Sequence, residues 1–466
     1  MSSPRYDAVV IGAGFSGLAA GIRLAQYERK VVVLERHALV GGLNSFYKRA
    51  GRRLDTGLHA LTNAAPRTEK SGPLAKLLRQ LRIDRDELRL REQSFSEIVF
   101  PSARLEFENG LARLEASVAR AFPAERERFA RLVADVRADD PFAPDRPDRS
   151  TRAELRARGL EPLLADMLLC AVCWYGSALE DDVDWRDFVV LFRSIFLEGF
   201  ARPEGGVKTL LDVLVKRYRE LGGELRTNCG VKRVLHDAGG ARGVELDDGT
   251  VLEAERVFSS AGLAETLALA GRALDERGAS RLSFFETTWV TREPQSKLGH
   301  GATITFFSAN DRFRYGGPTG DALVRLDTGV LCCTDAYASD APPMEGLLRV
   351  TVPAHPRRWF ELDDVAYAAA KSASTDDVAR ASAAYVPDPR PRSTFVDAFT
   401  PRTIAKYTGH ASGAVYGSPV KRRDGRTGIE NLVVIGTDQG LVGIVGAMLS
   451  GVVMVNQHAL LARSTS

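Results

Sequence analysis

Residues 6 to 35 read YDAVVIGAGFSGLAAGIRLAQYERKVVVLE, an apolar run, a glycine-rich break, a stretch of helical periodicity, and a second apolar run closed by an acid. Ala8 to Ile11 predict a short central parallel strand buried on both faces, and Lys30 to Leu34 predict its neighbour. A helix is expected between them through Leu18 to Ala25. The order of apolar run, glycine break and small-residue helix returns at NLVVIGTDQGLVGIVGAMLSG, residues 431 to 451. Gly205-Gly206 predict a tight entry into a helix over Lys208 to Leu221, and Glu224 to Val234 read as a strand. VELDDGTVL, residues 244 to 252, predicts a hairpin because Asp248-Gly249 is a favoured two-residue turn, and Arg256 to Ala261 return to the sheet. Two long stretches lack this pattern. Residues 70 to 200 are mainly helical by periodicity, broken by the charged, proline-rich DDPFAPDRPDRST. Residues 265 to 400 mix strands (FFETTWVTRE, LLRVTVPA) with a helix (VAYAAAKSAST).

The first glycine break carries chemistry. Gly12, Gly14 and Gly17 fit G-x-G-x-x-G. The first glycine permits a tight turn, the second allows backbone to approach a pyrophosphate, and the third lets helix pack on strand. Phosphates would meet the free N–H groups at the helix start, so Ala13, Phe15 and Ser16 join the three glycines as candidate contacts. Glu35, followed by Arg36, ends the second strand where an acid accepts hydrogen bonds from an adenosine ribose. The motif alone is weak evidence. Strand, helix and terminal acid in register make it a dinucleotide site.

Further segments fix which dinucleotide. Gly41 and Gly42 form a second glycine pair, followed by Leu43 and then Asp55-Thr56-Gly57-Leu58-His59. With ARPEGGVKTLLDVLVKRYRELGGELRTNCGVKRV (201 to 234), TPRTIAKYTGHASGAVYG (400 to 417) and the C-terminal motif, this ordered set covers most of the chain. It resembles flavoproteins of the phytoene desaturase, carotene isomerase and retinol saturase group, within the wider amine-oxidase-like FAD superfamily. The resemblance implies an α/β fold: a Rossmann-like FAD-binding domain built on a parallel sheet, and a discontinuous α+β substrate domain. Residues 1–70, 200–265 and 415–466 would form the first, and 71–199 and 266–414 the second. It implies FAD as cofactor, with Val231 beside the adenine, Gly436 and Asp438 near the ribityl or pyrophosphate, and Gly443, Ile444 and Val445 at a helix start aimed at the flavin. Close helix packing is the structural alternative for Gly443, Gly446 and Gly451. It also brings Asp55 and His59 toward the flavin as candidate catalytic residues, with His410 and Tyr416 behind them.

Composition narrows the partners. The chain has 466 residues, with 63 basic and 60 acidic, so no strong field points to nucleic acid. The fingerprint begins within the first dozen residues, and no apolar run reaches the ~20 residues of a bilayer span, which predicts a cytoplasmic protein. Of the five cysteines, Cys170 and Cys173 have metal or redox spacing. No second pair or nearby histidine completes a site, so no metal is expected, and their apolar neighbours read as core. The segment WRDFVVLFRSIFLEGF (185 to 200) has apolar residues on most sides of a helix. It reads as a buried helix, as a wall of an apolar tunnel, or as a peripheral contact that dips into a membrane.

An FAD with an apolar substrate cavity suits hydride or electron transfer at carbon. The expected partner is a hydrophobic small molecule, an isoprenoid polyene that is desaturated, saturated or isomerised. A flavin oxidase on another hydrophobic secondary metabolite is the enzymatic alternative. A protein resembling the GDP-dissociation inhibitors, which bind prenylated GTPases without flavin, is the non-enzymatic one. Gly440, Leu441 and Val442 stand where amine oxidases place an aromatic beside the flavin, which argues against amine oxidation.

Overall fold

The computed structural model describes residues 4–461 apart from 58, 144, 145, 276, 277, 341 and 342. Leu58 of the D-T-G-L-H segment and the middle of the proline-rich break therefore lie outside the described residues. Two seven-stranded sheets organise the chain.

The first sheet has a parallel heart. Strand Arg5–Ile11 lies between Val31–Leu34 and Val251–Ser259, with Glu224–Arg226 beyond the former and Leu432–Val434 beside the latter. Val31 to Leu34 are all buried, as a strand covered on both faces requires. Val231–Asp237 and Gly240–Leu246 extend this sheet antiparallel, and the Asp248-Gly249 turn leads into Val251–Ser259. The fingerprint helix Phe15–Ala25 packs against the C-terminal helix Gly443–Val455. Their approach is close: a Cβ on Gly451 would lie 2.2 Å from the Ser16 carbonyl oxygen, which assigns Gly451 to helix packing. The stretch Gly443–Leu460 has the length and apolar composition of a bilayer span, but it is the helix that holds the fingerprint helix against the sheet.

Helix Pro73–Leu81 departs from the sequence division at residue 70. Its Leu74, Leu77, Leu78 and Leu81 are buried in the same core as the fingerprint helix, so this helix belongs with the nucleotide sheet.

The second sheet runs Ser393–Phe399, Ser283–Thr291, Gly346–Ala354, Thr328–Cys333, Ile304–Ser308, Ser96–Val99, Arg104–Phe107. Its pairings are antiparallel except that of Ser96–Val99 with Ile304–Ser308. The two strands from the first insertion were not apparent in the sequence. One face of this sheet carries helices Arg126–Ala138, Pro162–Gly176 and Trp185–Phe192, the last continuing as a π-turn over Arg193–Leu197. Phe188, Phe192, Phe196 and Phe200 are completely buried, and Phe196 meets Phe107 and Phe192 with ring centroids 5.0 Å apart. The segment 185 to 200 is thus interior, and these rings are not available to a membrane. Cys170 and Cys173 lie in the same apolar core.

Candidate functional site

The glycine-rich turn opens a cavity of about 480 Å³ between the first sheet and the segment 407 to 417. Gly12 turns the chain at φ +91°, and its N–H donates to the Leu34 carbonyl at 2.7 Å. Ser260 pins the same turn from the returning strand, its Oγ donating to the Ile11 carbonyl at 2.9 Å. Gly17 is fixed by packing, because a Cβ there would lie 2.0 Å from the Gly12 carbonyl oxygen. Gly14 differs. Its backbone is extended (φ −71°, ψ 178°), it lines the cavity, and a Cβ on it would meet no protein atom within 4 Å. The helix behind it has no side-chain cap and no acid in its first turn, so its N–H groups remain for an anion. Phe15 and Ser16, both on the cavity wall, begin this helix.

Glu35 stands at the end of Val31–Leu34 and is 8% exposed. One carboxylate oxygen accepts from the Ala13 N–H at 2.8 Å and the other from the His37 N–H at 2.9 Å. A carboxylate has about four lone-pair positions, so both oxygens keep capacity for ribose hydroxyls. Arg36 lines the cavity and donates to the Lys406 carbonyl at 3.4 Å, tying the wall to the helix Pro401–Thr408. Val231 lies on the same wall. Gly41, at φ +116°, donates its N–H to the Ala13 carbonyl at 2.9 Å, which places Gly42 and Leu43 beside the fingerprint turn.

The C-terminal motif closes the far end. Gly436 and Asp438 both line the cavity. The Asp438 carboxylate accepts from the Leu263 N–H at 2.5 Å and the Ser418 N–H at 2.6 Å, and lies 4.0 Å from Lys421 Nζ. It therefore joins three chain segments. Burial pushes the Lys421 amine below its ordinary value, and Asp438 opposes that shift. Gly443 is exposed at the start of its helix, at φ +74°, whereas Ile444 and Val445 are buried in the nucleotide core. None of these three lines the 480 Å³ cavity.

Asp55 and His59 lie behind the glycine pair. Thr56 Oγ1 donates to the Leu43 carbonyl at 2.9 Å, so their loop rests on the cavity wall. Asp55 is committed to structure: its carboxylate pairs with Arg202 and accepts the Val207 N–H at 3.1 Å, capping the helix Val207–Glu220. His59 Nε2 lies 3.0 Å from Glu286 Oε2 on the second sheet. Burial and Arg349 lower the His59 pKa, against the pull of Glu286. His410 lines the nucleotide cavity, while the Tyr416 hydroxyl donates to the Trp174 carbonyl and its ring packs 5.9 Å from Phe284.

The sequence reading missed Ser260, Glu265 and Tyr407 on the cavity wall. The small-residue run Ser259-Ser260-Ala261-Gly262 after a returning strand was the available signal for the first of them.

The residues present fit FAD. An open approach at Gly14, an uncapped helix start and an acid with spare lone pairs are the donor set for an adenosine diphosphate moiety. Comparison with known proteins agrees. A phytoene desaturase (neurosporene-forming) of Rhodobacter capsulatus is 29% identical over 56% of this chain, which spans about half (53%) of that protein's length. An all-trans-retinol 13,14-reductase of Danio rerio is 24% identical over 97% of this chain and 86% of its own. An oxidoreductase structure from Methanosarcina mazei shares the fold, with a TM-score of 0.69 at 18% identity over 96% of this chain and 99% of that one. Residues 15–453 match the family described as flavin containing amine oxidoreductase, and the chain belongs to that family.

Proposed function

We propose that this chain is an FAD-dependent oxidoreductase acting on a hydrophobic isoprenoid polyene, by desaturation, saturation or isomerisation. The observation that carries the reading is the Gly14 approach to the cavity, kept clear of protein atoms and backed by Glu35. A protein that had abandoned its dinucleotide would have no reason to keep that space, which counts against the non-enzymatic alternative. The similarity to a phytoene desaturase and a retinol reductase supports the substrate class. So does the site's border, where Val442 packs against the helical core of the second sheet and no aromatic flanks it at Gly440 or Leu441.

Gly12, Gly14, Phe15, Ser16, Glu35, Arg36, Gly41 to Leu43 and Val231 would hold the adenosine diphosphate half, whereas the Ala13 N–H, expected to meet phosphate, is taken by Glu35 and Gly17 serves packing. Gly436 and the start of the helix at Gly443, exposed and without a side-chain cap, would meet the flavin half. The bound flavin supplies the two-electron chemistry. The protein's own residues bind, exclude water, and place His59 as the group that handles a proton.

The test is anaerobic incubation of the FAD-loaded chain with phytoene, lycopene isomers and retinol, followed by polyene absorbance. A spectral change supports the reading, and its direction separates the three reactions. Flavin bands with no change in any polyene refute the substrate class and leave the cofactor site standing.

A further inference from the structure

A buried ionic cluster ties the second sheet to the loop of His59. Glu286 and Thr351 are register partners on adjacent strands, and Arg349 precedes Thr351 by two positions on the same face. Arg349 and Glu286 are 1% and 3% exposed. Arg349 Nε donates to Glu286 Oε1 at 2.6 Å, and its Nη2 reaches the same carboxylate oxygen and the Thr56 carbonyl. The other oxygen, Oε2, accepts from Thr351 Oγ1 at 2.7 Å and faces His59 Nε2 at 3.0 Å. The backbone of His59 is held as well, its carbonyl accepting from the Tyr337 hydroxyl at 2.9 Å and from Arg202.

A buried ion pair is weak support for stability, since apolar residues of similar volume do as well. This one grips both Thr56 and His59, and Thr56 in turn rests on the Gly41–Leu43 wall of the nucleotide cavity. Burial alone would raise the Glu286 carboxyl, but the Arg349 charge and the hydrogen bonds from His59 and Thr351 hold it below its ordinary value, so it is ionised and acceptor-only. Burial, Arg349 and Arg202, itself paired with Asp55, keep the His59 ring neutral. A neutral ring facing a carboxylate carries its proton on Nε2. Nδ1 is then the ring's acceptor, and it makes no hydrogen bond among the described residues, on a side chain that is 16% exposed.

We propose that Glu286, oriented by Arg349 and Thr351, is a positioning residue that locks His59 with its proton on Nε2 and leaves Nδ1 to take or return a substrate proton. The inference rests on the proposed function for what His59 does, but not for how it is held. In the desaturating sense a substrate C–H bond breaks, an N–H bond forms at Nδ1, and the electron pair becomes the new C=C as the adjacent carbon gives up a hydride, for which bound flavin would be the acceptor; saturation is the reverse. The imidazolium so formed lies against the Glu286 carboxylate.

The test uses the FAD-loaded full chain labelled with ¹⁵N-histidine, with His59→Gln assigning the His59 imidazole signals. The wild type is expected to show protonated Nε2 and unprotonated Nδ1 at neutral pH. A proton on Nδ1, or a ring charged at neutral pH, overturns the proposal without reference to any substrate. In Glu286→Gln, whose amide both donates and accepts, the tautomer is expected to become mixed. On a reacting polyene, kcat is expected to fall with KM little changed, and the acid limb of the pH profile to move to lower pH. A folded Glu286→Gln protein with wild-type tautomer and pH profile refutes the proposal. Because loss of that charge removes the carboxylate beside buried Arg349 and can unfold the protein, Thr351→Val serves as a charge-neutral second variant. It is expected to lower kcat with KM unchanged, and an unchanged kcat contradicts the positioning role. If the wild-type tautomer is as predicted and no polyene reacts, the positioning stands and the substrate assignment fails.

Discussion

Gly14→Val separates the cofactor role of the fingerprint from its structural role. The backbone at Gly14 is extended, at φ −71° and ψ 178°, a region any residue adopts, and a Cβ there meets no protein atom within 4 Å. The valine Cβ therefore meets open space, and replacing glycine at a compatible position stabilises by about 0.4–1 kcal/mol through the unfolded chain. The same side chain fills the space through which a pyrophosphate reaches the helix N–H groups. Losing two charge-assisted hydrogen bonds at about 1.5–3 kcal/mol each removes ~3–6 kcal/mol of binding. At 1.4 kcal/mol per decade that is roughly 10²- to 10⁴-fold in Kd for FAD. Gly17→Val is the contrast, because its Cβ would sit 2.0 Å from the Gly12 carbonyl oxygen and displace the turn itself. The assay is FAD titration by flavin fluorescence, with thermal unfolding of the flavin-free proteins alongside. Gly14→Val is expected to keep its Tm and lose FAD, and Gly17→Val to lose both. Undiminished FAD affinity in Gly14→Val, or a Tm drop equal to that of Gly17→Val, refutes the reasoning.

Other outcomes follow from the same geometry. Glu35→Ala removes the acceptor for the ribose and frees the Ala13 N–H, and a loss of about 1.5–3 kcal/mol predicts FAD bound ~10- to 100-fold more weakly by titration. Asp438→Ala strips two backbone N–H groups of their acceptor and leaves buried Lys421 with only the Asp187 field in place of its nearer carboxylate, at a cost of about 3–5 kcal/mol readable by denaturant unfolding. Phe196→Ala, in the centre of the ring cluster, is expected to cost about 3–5 kcal/mol without changing FAD affinity in a protein that remains folded. Stability should also fall on the acid side in two stages. His59 has a lowered folded pKa, so the unfolded chain takes up its proton first, and stability drops as pH falls below about 6.5. Glu286 is likewise depressed, so its contribution is present above about 4.3 and is lost as pH falls through its folded value. A Tm–pH profile of His59→Gln should show a smaller first stage, since burial also lowers the pKa of His300 and His355, and keep the second.

The nucleotide site was legible because its parts are local. One strand, turn and helix carry the phosphate contacts, and Glu35 follows after one more strand, so thirty consecutive residues state most of the geometry. The second sheet was only half legible. Ser283–Thr291 and Gly346–Ala354 are nine residues each and rich in β-branched and aromatic residues, but Ser96–Val99 and Arg104–Phe107 are four residues each. The first of these carries a buried Glu97 whose partner, Thr305, lies far along the chain. A pattern that short, broken by a charge, has no readable period. The same distance hid the partners of His59, because Glu286 and Arg349 reach it only through the pairing of two strands. Asp438 shows the converse limit. Its place in the motif was legible, but its bonds to Leu263 and Ser418 depend on two loops that come together only in the folded chain.

The measurement that tests the central claim most directly is an absorption spectrum of the purified chain, before and after reconstitution with FAD and gel filtration. The account predicts flavin bands that co-elute with the protein near one equivalent and disappear in Gly14→Val. A wild-type protein that stays folded and colourless after reconstitution contradicts it.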